Sequence, residues 1–261
     1  MMYFLETSGT IPTGLGFEHF DRTHLTWLVI AVLIIGANCL LYRGLNASNR
    51  ARWNKIMALL LIANELFKHT MLLIGGNFEP TYLPLHLCSI NIFLIAIHAW
   101  RPSATLSNFL YTVCIPGAIA ALLFPSWTKL PVLNFMHLHS STIHIQLVMY
   151  PLVLAVNGVL KPSAKGIPKC LGLLVILAGV ALVANLIFDT NFMFLMEADK
   201  GNPLYAFEQL FGNHLIGFPI LISAVLVIMY VPMEIYRRHK EKATTVANKN
   251  RPHIWGLFLF A

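Results

Sequence analysis

The sequence predicts an all-α polytopic membrane protein. It reads as one bundle of seven transmembrane helices, N-terminus outside and C-terminus in the cytoplasm. Three observations carry this. The chain is 57% hydrophobic with a mean hydropathy of +0.69, and only 11% of its residues are charged, against roughly 25% in a soluble domain. Seven apolar segments fall within 261 residues, each near the ~20 residues that cross a bilayer as a helix. The basic residues also gather on one side once those segments alternate. So few charges cannot cover a water-soluble surface. That excludes a cytosolic globular enzyme, a disordered chain and a nucleic-acid binder, despite a net charge of +7.

The expected organisation is a short extracellular segment over 1–24, a transmembrane domain over 25–236 and a basic cytoplasmic tail over 237–261. The first segment, 25–43, opens at His24. A cleavable signal peptide begins with a basic region. Here the first basic residue is Arg22, beside Asp21 and after Glu6 and Glu18, so this span is expected to be retained. The second, 56–75, reads ANELFKHTMLL and carries Asn64, Glu65, Lys68 and His69. The third, 83–100, opens LPLHLCSIN, with His86, Cys88, Ser89 and Asn91. The fourth is 106–125. The fifth, 134–157, opens NFMHLHSSTIHIQ, with His137, His139, His144 and Gln146. The sixth, 168–188, ends near Asn185, and the seventh, 210–236, begins with Asn213 and His214. GGNFEPTY, RPSAT and PSWTKLPV between them have turn composition. The longest connection, 189–209, is expected to fold back on the bundle.

Charge sets the orientation. Arg43, Arg50, Arg52, Lys55, Arg101, Lys161, Lys165, Lys169, Arg237, Arg238, Lys240, Lys242, Lys249 and Arg251 make fourteen of eighteen basic residues on one side. Arg22, Lys129 and Lys200 fall on the other, and Lys68 lies within a span. The acids Glu6, Glu18, Asp21, Glu79, Asp189, Glu197, Asp199 and Glu208 share that other side. The basic side is therefore cytoplasmic and faces anionic headgroups. Cys39 and Cys170 fall near it, and Cys88 and Cys114 lie within spans. No CxxC and no outer-loop pairing suggest a disulfide framework.

Ionisable side chains in a span cost about 2.5–3.5 kcal/mol each at its centre. With this topology His24, Lys68, His69, His86, Cys88, His137, His139, Asn185, Asn213 and His214 all lie in the outer half, with Glu65 and His144 near mid-membrane. The inner half is expected to be almost purely aliphatic. One outward-facing polar cavity fits this, whereas a pore or alternating-access carrier needs polar groups at both depths. Simple structural roles remain open: Glu65 with Lys68 and His69 as a local ion pair, His86 as a packed core histidine, Cys88 as an inert small hydrophobe. Three histidines within eight residues of the fifth span suit a metal poorly, since there is no HExxH and only Glu65 as a nearby carboxylate. Neither a metal nor another cofactor is expected. Cys88 is the one cysteine among these polar groups. A thiol nucleophile needs a base. His86, two residues away, is on the wrong face of the helix, so the base must come from the fifth span. Its depth leaves His139 and His144 both open.

LPLHLCS at Leu83–Ser89, THL at Thr23–Leu25, His144 in the fifth span and NFMFL at Asn191–Leu195 together resemble the YwaF-like bacterial integral-membrane proteins. The resemblance covers most of the chain. That family is related to eukaryotic multispan enzymes that move acyl chains between phospholipids through a cysteine and a histidine. The resemblance implies a bacterial cell-membrane location, membrane phospholipids as partners, Cys88 as acyl-accepting nucleophile and His144 as its base. His86, Asn91, Glu65, Lys68, His69, His137, His139, Asn185, Asn191 and His214 are then supporting or substrate-binding candidates. FGNHLIGFP departs from the family's Gly-Pro-Trp-rich entry to the last span, and His139 and His214 are additions to its pattern. The expected function is a lipid acyltransferase of the outer leaflet working through a thioester. The alternative is a non-enzymatic protein that binds or transports a polar ligand in a His-rich pocket.

Overall fold

The computed structural model describes residues 3–198 and 202–249, with side chains to His239. Among these residues there is no strand, and the α-helices are α1 (Arg22–Gly44), α2 (Ala47–Ile74), α3 (Leu87–Trp100), α4 (Ala104–Phe109), α5 (Ile115–Leu123), α6 (Phe135–Val156), α7 (Ile167–Phe188), α8 (Pro203–Phe211) and α9 (Gly217–Lys249). Six helical stretches are long and apolar enough to cross a membrane: α1, α2, α4 with α5, α6, α7 and the apolar part of α9. α3 is a seventh, shorter apolar helix of 14 residues. At 1.5 Å per residue it spans about 21 Å, less than a ~30 Å hydrocarbon core.

Local chemistry sets the helix ends. Asp21, Asn46, Ser103 and Asn134 cap α1, α2, α4 and α6 by accepting from first-turn N–H groups. Gly212 ends α8 at φ 70°, a left-handed conformation that glycine adopts without a Cβ clash. Two prolines reshape the interior. Pro116 cannot donate to the carbonyl four residues back, and the turn before it, Leu110–Cys114, widens into a π-helix. Pro151 likewise leaves the Leu147 carbonyl without its helical donor, and the Cys114 thiol donates to that oxygen at 3.4 Å. All four cysteines are free.

α6 is the axis of the bundle and packs on α1, α2, α3 and α5. Sixty-one per cent of its apolar stretch is buried, against 11% for α1 and for α9, which turn most of their surface outward. α2 lies along α3 and α6, α7 docks on α4, and α9 joins the π turn and α8. Hydrogen bonds define two ends. At one, Asn134 Nδ2 donates to the Tyr3 and Glu6 carbonyls, Asn77 to the Leu5 carbonyl and the Phe17 N–H to Thr128, which lays the N-terminal segment across the bundle. At the opposite end Trp53 Nε1 donates to Asn38 and the Ser163 N–H to Asn108.

Three boundaries differ from the sequence expectation. The second span begins at Ala47, because Asn46 caps a turn whose charged residues still favour helix. The third helix begins at Leu87, because Pro84 keeps LPLH in a turn. The last span begins at Gly217, after the separate helix α8. The tail continues α9 to Lys249; the side chains of Lys240, Lys242 and Lys249, and all of Asp199, Lys200 and Arg251, lie outside the described residues. The half away from Cys88 is not purely aliphatic. His98 bridges Tyr150 OH at 3.0 Å and Ser107 Oγ at 3.2 Å. Tyr230 OH donates to Asn108 Oδ1 at 2.9 Å, and Thr112 Oγ1 lies 2.8 Å from it. These residues come from four separate stretches of sequence, so only the packing collects them.

Candidate functional site

Cys88 is the second residue of α3, not a residue five positions deep in a span. Its Sγ lies 3.3 Å from His144 Nε2. The other ring nitrogen of His144, Nδ1, is 2.6 Å from the Ser140 carbonyl. A carbonyl only accepts, so Nδ1 carries the proton and Nε2 presents its lone pair to the thiol. The Trp127 indole stacks on the imidazole at 5.1 Å and 11°, which holds the ring plane. Cys88 and His144 are half-buried while Trp127 is buried. No side chain caps α3 at His86, and the first bond into its turn is the Ile90 N–H to the His86 carbonyl. The N–H groups of Cys88 and Ser89 therefore stand at the positive end of the helix without helical partners.

A second group adjoins this pair. Lys68 Nζ is 2.5 Å from Glu65 Oε1. His139 Nε2 is 3.5 Å from Glu65 Oε2. His69 Nδ1 donates to the Glu65 backbone carbonyl at 2.9 Å and lies 3.8 Å from Oε1. Glu65, Lys68 and His139 are only 5–6% exposed. α2 supplies the first two, and α6 turns His139 toward α2 while His144 faces α3. A helix places residues five apart on opposite sides, and that rotation separates the two base candidates: His144 meets the thiol, His139 the carboxylate. α2 packs along both α3 and α6, so the helix that carries Glu65 and Lys68 borders the helices that carry Cys88 and His144.

The other candidates fall in different places. The His86 ring lies against Phe192 and Phe194 at 5.2 and 6.2 Å. Those aromatic rings come from the 189–198 segment folding back. Asn185 fixes it, accepting from the Phe192 N–H at 2.6 Å and donating to the Phe192 carbonyl at 3.1 Å. Met193 and Phe194 follow at φ 57° and 56°, a left-handed conformation costing about 1–2 kcal/mol per residue. Asn191 holds its own turn through Met196 and Glu197. Asn91 is buried one turn from Cys88, its Oδ1 without a partner. His137 stands apart from Cys88: Nδ1 donates to Leu130 at 3.1 Å, and its ring meets Phe17 and Trp27. His214 is buried at the α8–α9 junction. Among the described residues no three His, Cys, Asp or Glu side chains are placed to hold a metal ion.

Trp127 contributes to the site without having been singled out in the sequence. PSWTKLPV signals a turn, and nothing in that string reveals a ring stacked on a histidine. The arrangement provides a thiol with a correctly oriented base, free N–H donors beside it and a buried charged group next door.

The family model of the TMEM164 family matches residues 19–230. No curated protein matches the chain, and no solved structure does.

Proposed function

The chain belongs to the TMEM164 family, and from that premise we propose that it is an integral-membrane acyltransferase using Cys88 and His144. The observation that carries the proposal is the 3.3 Å contact from Cys88 Sγ to an imidazole nitrogen whose tautomer leaves it free to accept. The resemblance to YwaF-like bacterial proteins supports the same assignment. In this reading seven helices cross a bacterial cell membrane and the site opens to the outer leaflet.

The thiol gives its proton to His144 Nε2 as sulfur attacks an ester carbonyl of a phospholipid. The N–H groups of Cys88 and Ser89 receive the developing oxyanion. The ester C–O bond breaks, His144 returns the proton to the departing lysolipid oxygen, and the acyl group remains as a thioester. An acceptor alcohol then gives its proton to His144 and attacks the thioester carbon. The C–S bond breaks and the thiolate recovers the proton. Dividing the transfer through a covalent intermediate replaces one hard step with two easier ones.

Transport of a polar ligand is the second reading, favoured by the polar side chains near the opposite end. Those groups are hydrogen-bonded to one another, however, so they are satisfied without a ligand. Intact mass spectrometry after incubation with phospholipid separates the two. The expected result is a hydroxylamine-sensitive acyl adduct on the wild type that is absent from Cys88→Ala. An unmodified wild-type protein throughout turnover sinks the acyltransferase.

A further inference from the structure

Trp127 belongs to no helix. It lies in the turn between α5 and α6, yet it is buried, and its indole lies flat on the His144 imidazole with centroids 5.1 Å apart and planes 11° from parallel. Three hydrogen bonds hold that turn. The Leu130 N–H donates to the Trp127 carbonyl at 3.1 Å and closes it. His137 Nδ1, on α6, donates to the Leu130 carbonyl at 3.1 Å. The third comes from the N-terminal segment, where the Phe17 N–H donates to the Thr128 carbonyl at 2.8 Å. The Phe17 ring meets the His137 ring at 5.0 Å, so the last two anchors brace each other.

Gly16 makes this seat possible. A Cβ there would overlap the Thr128 carbonyl oxygen and stand 2.6 Å from the Lys129 carbonyl carbon and 2.8 Å from its Cα. These are backbone atoms of the two residues after Trp127, so they can yield only if the turn itself moves. The other glycines of the segment differ. A Cβ on Gly9 meets only Thr7 Oγ1, at 3.9 Å, and Gly14 has open space around it.

We propose that Gly16 and Phe17 are positioning residues for the base. They clasp the turn so that the indole face of Trp127 lies against His144, keeps Nε2 aimed at Cys88 Sγ and steadies the imidazolium formed when Nε2 takes the thiol proton. A cation over a tryptophan face is attracted by the ring, and an aliphatic side chain offers no such attraction. The proposal rests on the Cys88–His144 pair of the acyltransferase reading and adds the N-terminal segment to its machinery.

Two rates on the full-length protein in detergent test it. One is acyl transfer to a labelled acceptor. The other is alkylation of Cys88 by iodoacetamide, followed by mass spectrometry of the Cys88 peptide, which needs the thiol and its base but no lipid. Trp127→Leu and Gly16→Ala should each slow both rates about tenfold, with KM for the lipid unchanged. Trp127→Phe keeps an aromatic face and should recover most of the loss. Gly9→Ala should match the wild type. Adding Gly16→Ala to Trp127→Leu should slow neither rate further, because Gly16 acts through the ring, whereas a merely structural role adds its own loss. If Gly16→Ala does not fold, Phe17→Ala, which introduces no clash, takes its place in the cycle. Wild-type alkylation in Trp127→Leu or Gly16→Ala, or additive losses in the double variant, overturns the clasp. An acyl adduct on the wild type with alkylation unchanged in the variants would remove the clasp and leave the acyltransferase standing. The expected alkylation pattern with no acyl adduct would do the reverse.

Discussion

His144 donates one ring proton to the backbone of its own helix, and that bond decides what it can do for Cys88. The Ser140 carbonyl fixes the tautomer and Trp127 fixes the plane, so the free nitrogen has one orientation. Nucleophile and base then act as a unit, and their losses are not additive. His144→Ala should abolish acyl transfer, and adding the Cys88 change should worsen it little. Cys88→Ser should keep the fold and lose most activity, because an alcohol is a far weaker acid than a thiol. His139→Ala should be milder on the chemical step, with its main effect on KM. Rates of acyl transfer to a labelled acceptor check these outcomes. A dead His139→Ala beside an active His144→Ala would exchange their roles. The residue types were legible in the sequence; the choice between the two histidines was not. It depends on which neighbouring helix each faces, and periodicity says only that the two faces differ.

At the scale of elements, one asparagine ties the start of α6 to the N-terminal segment. Asn134 is fully buried; its Oδ1 accepts from the Met136 and His137 N–H groups and its Nδ2 donates to two carbonyls of residues 3–6. Loss of a cap costs about 0.5–2 kcal/mol, and each buried carbonyl left unpaired about 1–3 more. Melting temperature in detergent should therefore fall in the order wild type, Asn134→Ser, Asn134→Ala, since serine keeps the cap and loses the tether. Equal melting of wild type and Asn134→Ser would mean that the tether contributes nothing. The same segment explains His137. In the sequence it is a supporting or substrate-binding candidate, and its ring meets Phe17 and Trp27 at one end of the bundle. The start of α3 matters in the opposite way. A proline four residues before Cys88 delays the helix, so the thiol stands at a helix N-terminus with free N–H groups instead of inside a turn.

For the whole molecule, the basic loops between α1 and α2, α3 and α4, and α6 and α7 lie at the end away from Cys88, as does Arg237 on α9. On the proposed orientation, which follows the positive-inside rule, that end is cytoplasmic and the N-terminal segment and the 189–198 segment face outward. In a cysteine-free background, single cysteines at Glu197 and Arg238 test this with a membrane-impermeant maleimide on sealed cells. The expected labelling is at 197 alone. Equal labelling of both positions would overturn the orientation. The peripheral helices also bear on how lipid arrives. α1, α7 and α9 expose long rows of Leu, Ile and Val, among them Val32, Leu33, Val175, Ile176, Val227 and Ile228, which suits an acyl environment and no water-filled wall.

Composition and hydropathic pattern by themselves determined the membrane class and the helical stretches. These depend on sums over ~20 residues of transfer free energy, which no neighbour can reverse. The spacing of Cys88, His144, Glu65 and Lys68 also marked out a polar region, because charges are rare in spans unless something needs them. What faces what was decided only by the tertiary structure. A rotation of one helix by 100° moves a side chain from one partner to another at little change in hydropathy. The assignment of His144 to the thiol, of His139 to Glu65 and of Trp127 to the imidazole therefore came from packing. So did the hydrogen-bonded His98–Tyr150–Ser107 group, whose members stand on three different helices and meet because α3, α4 and α6 converge.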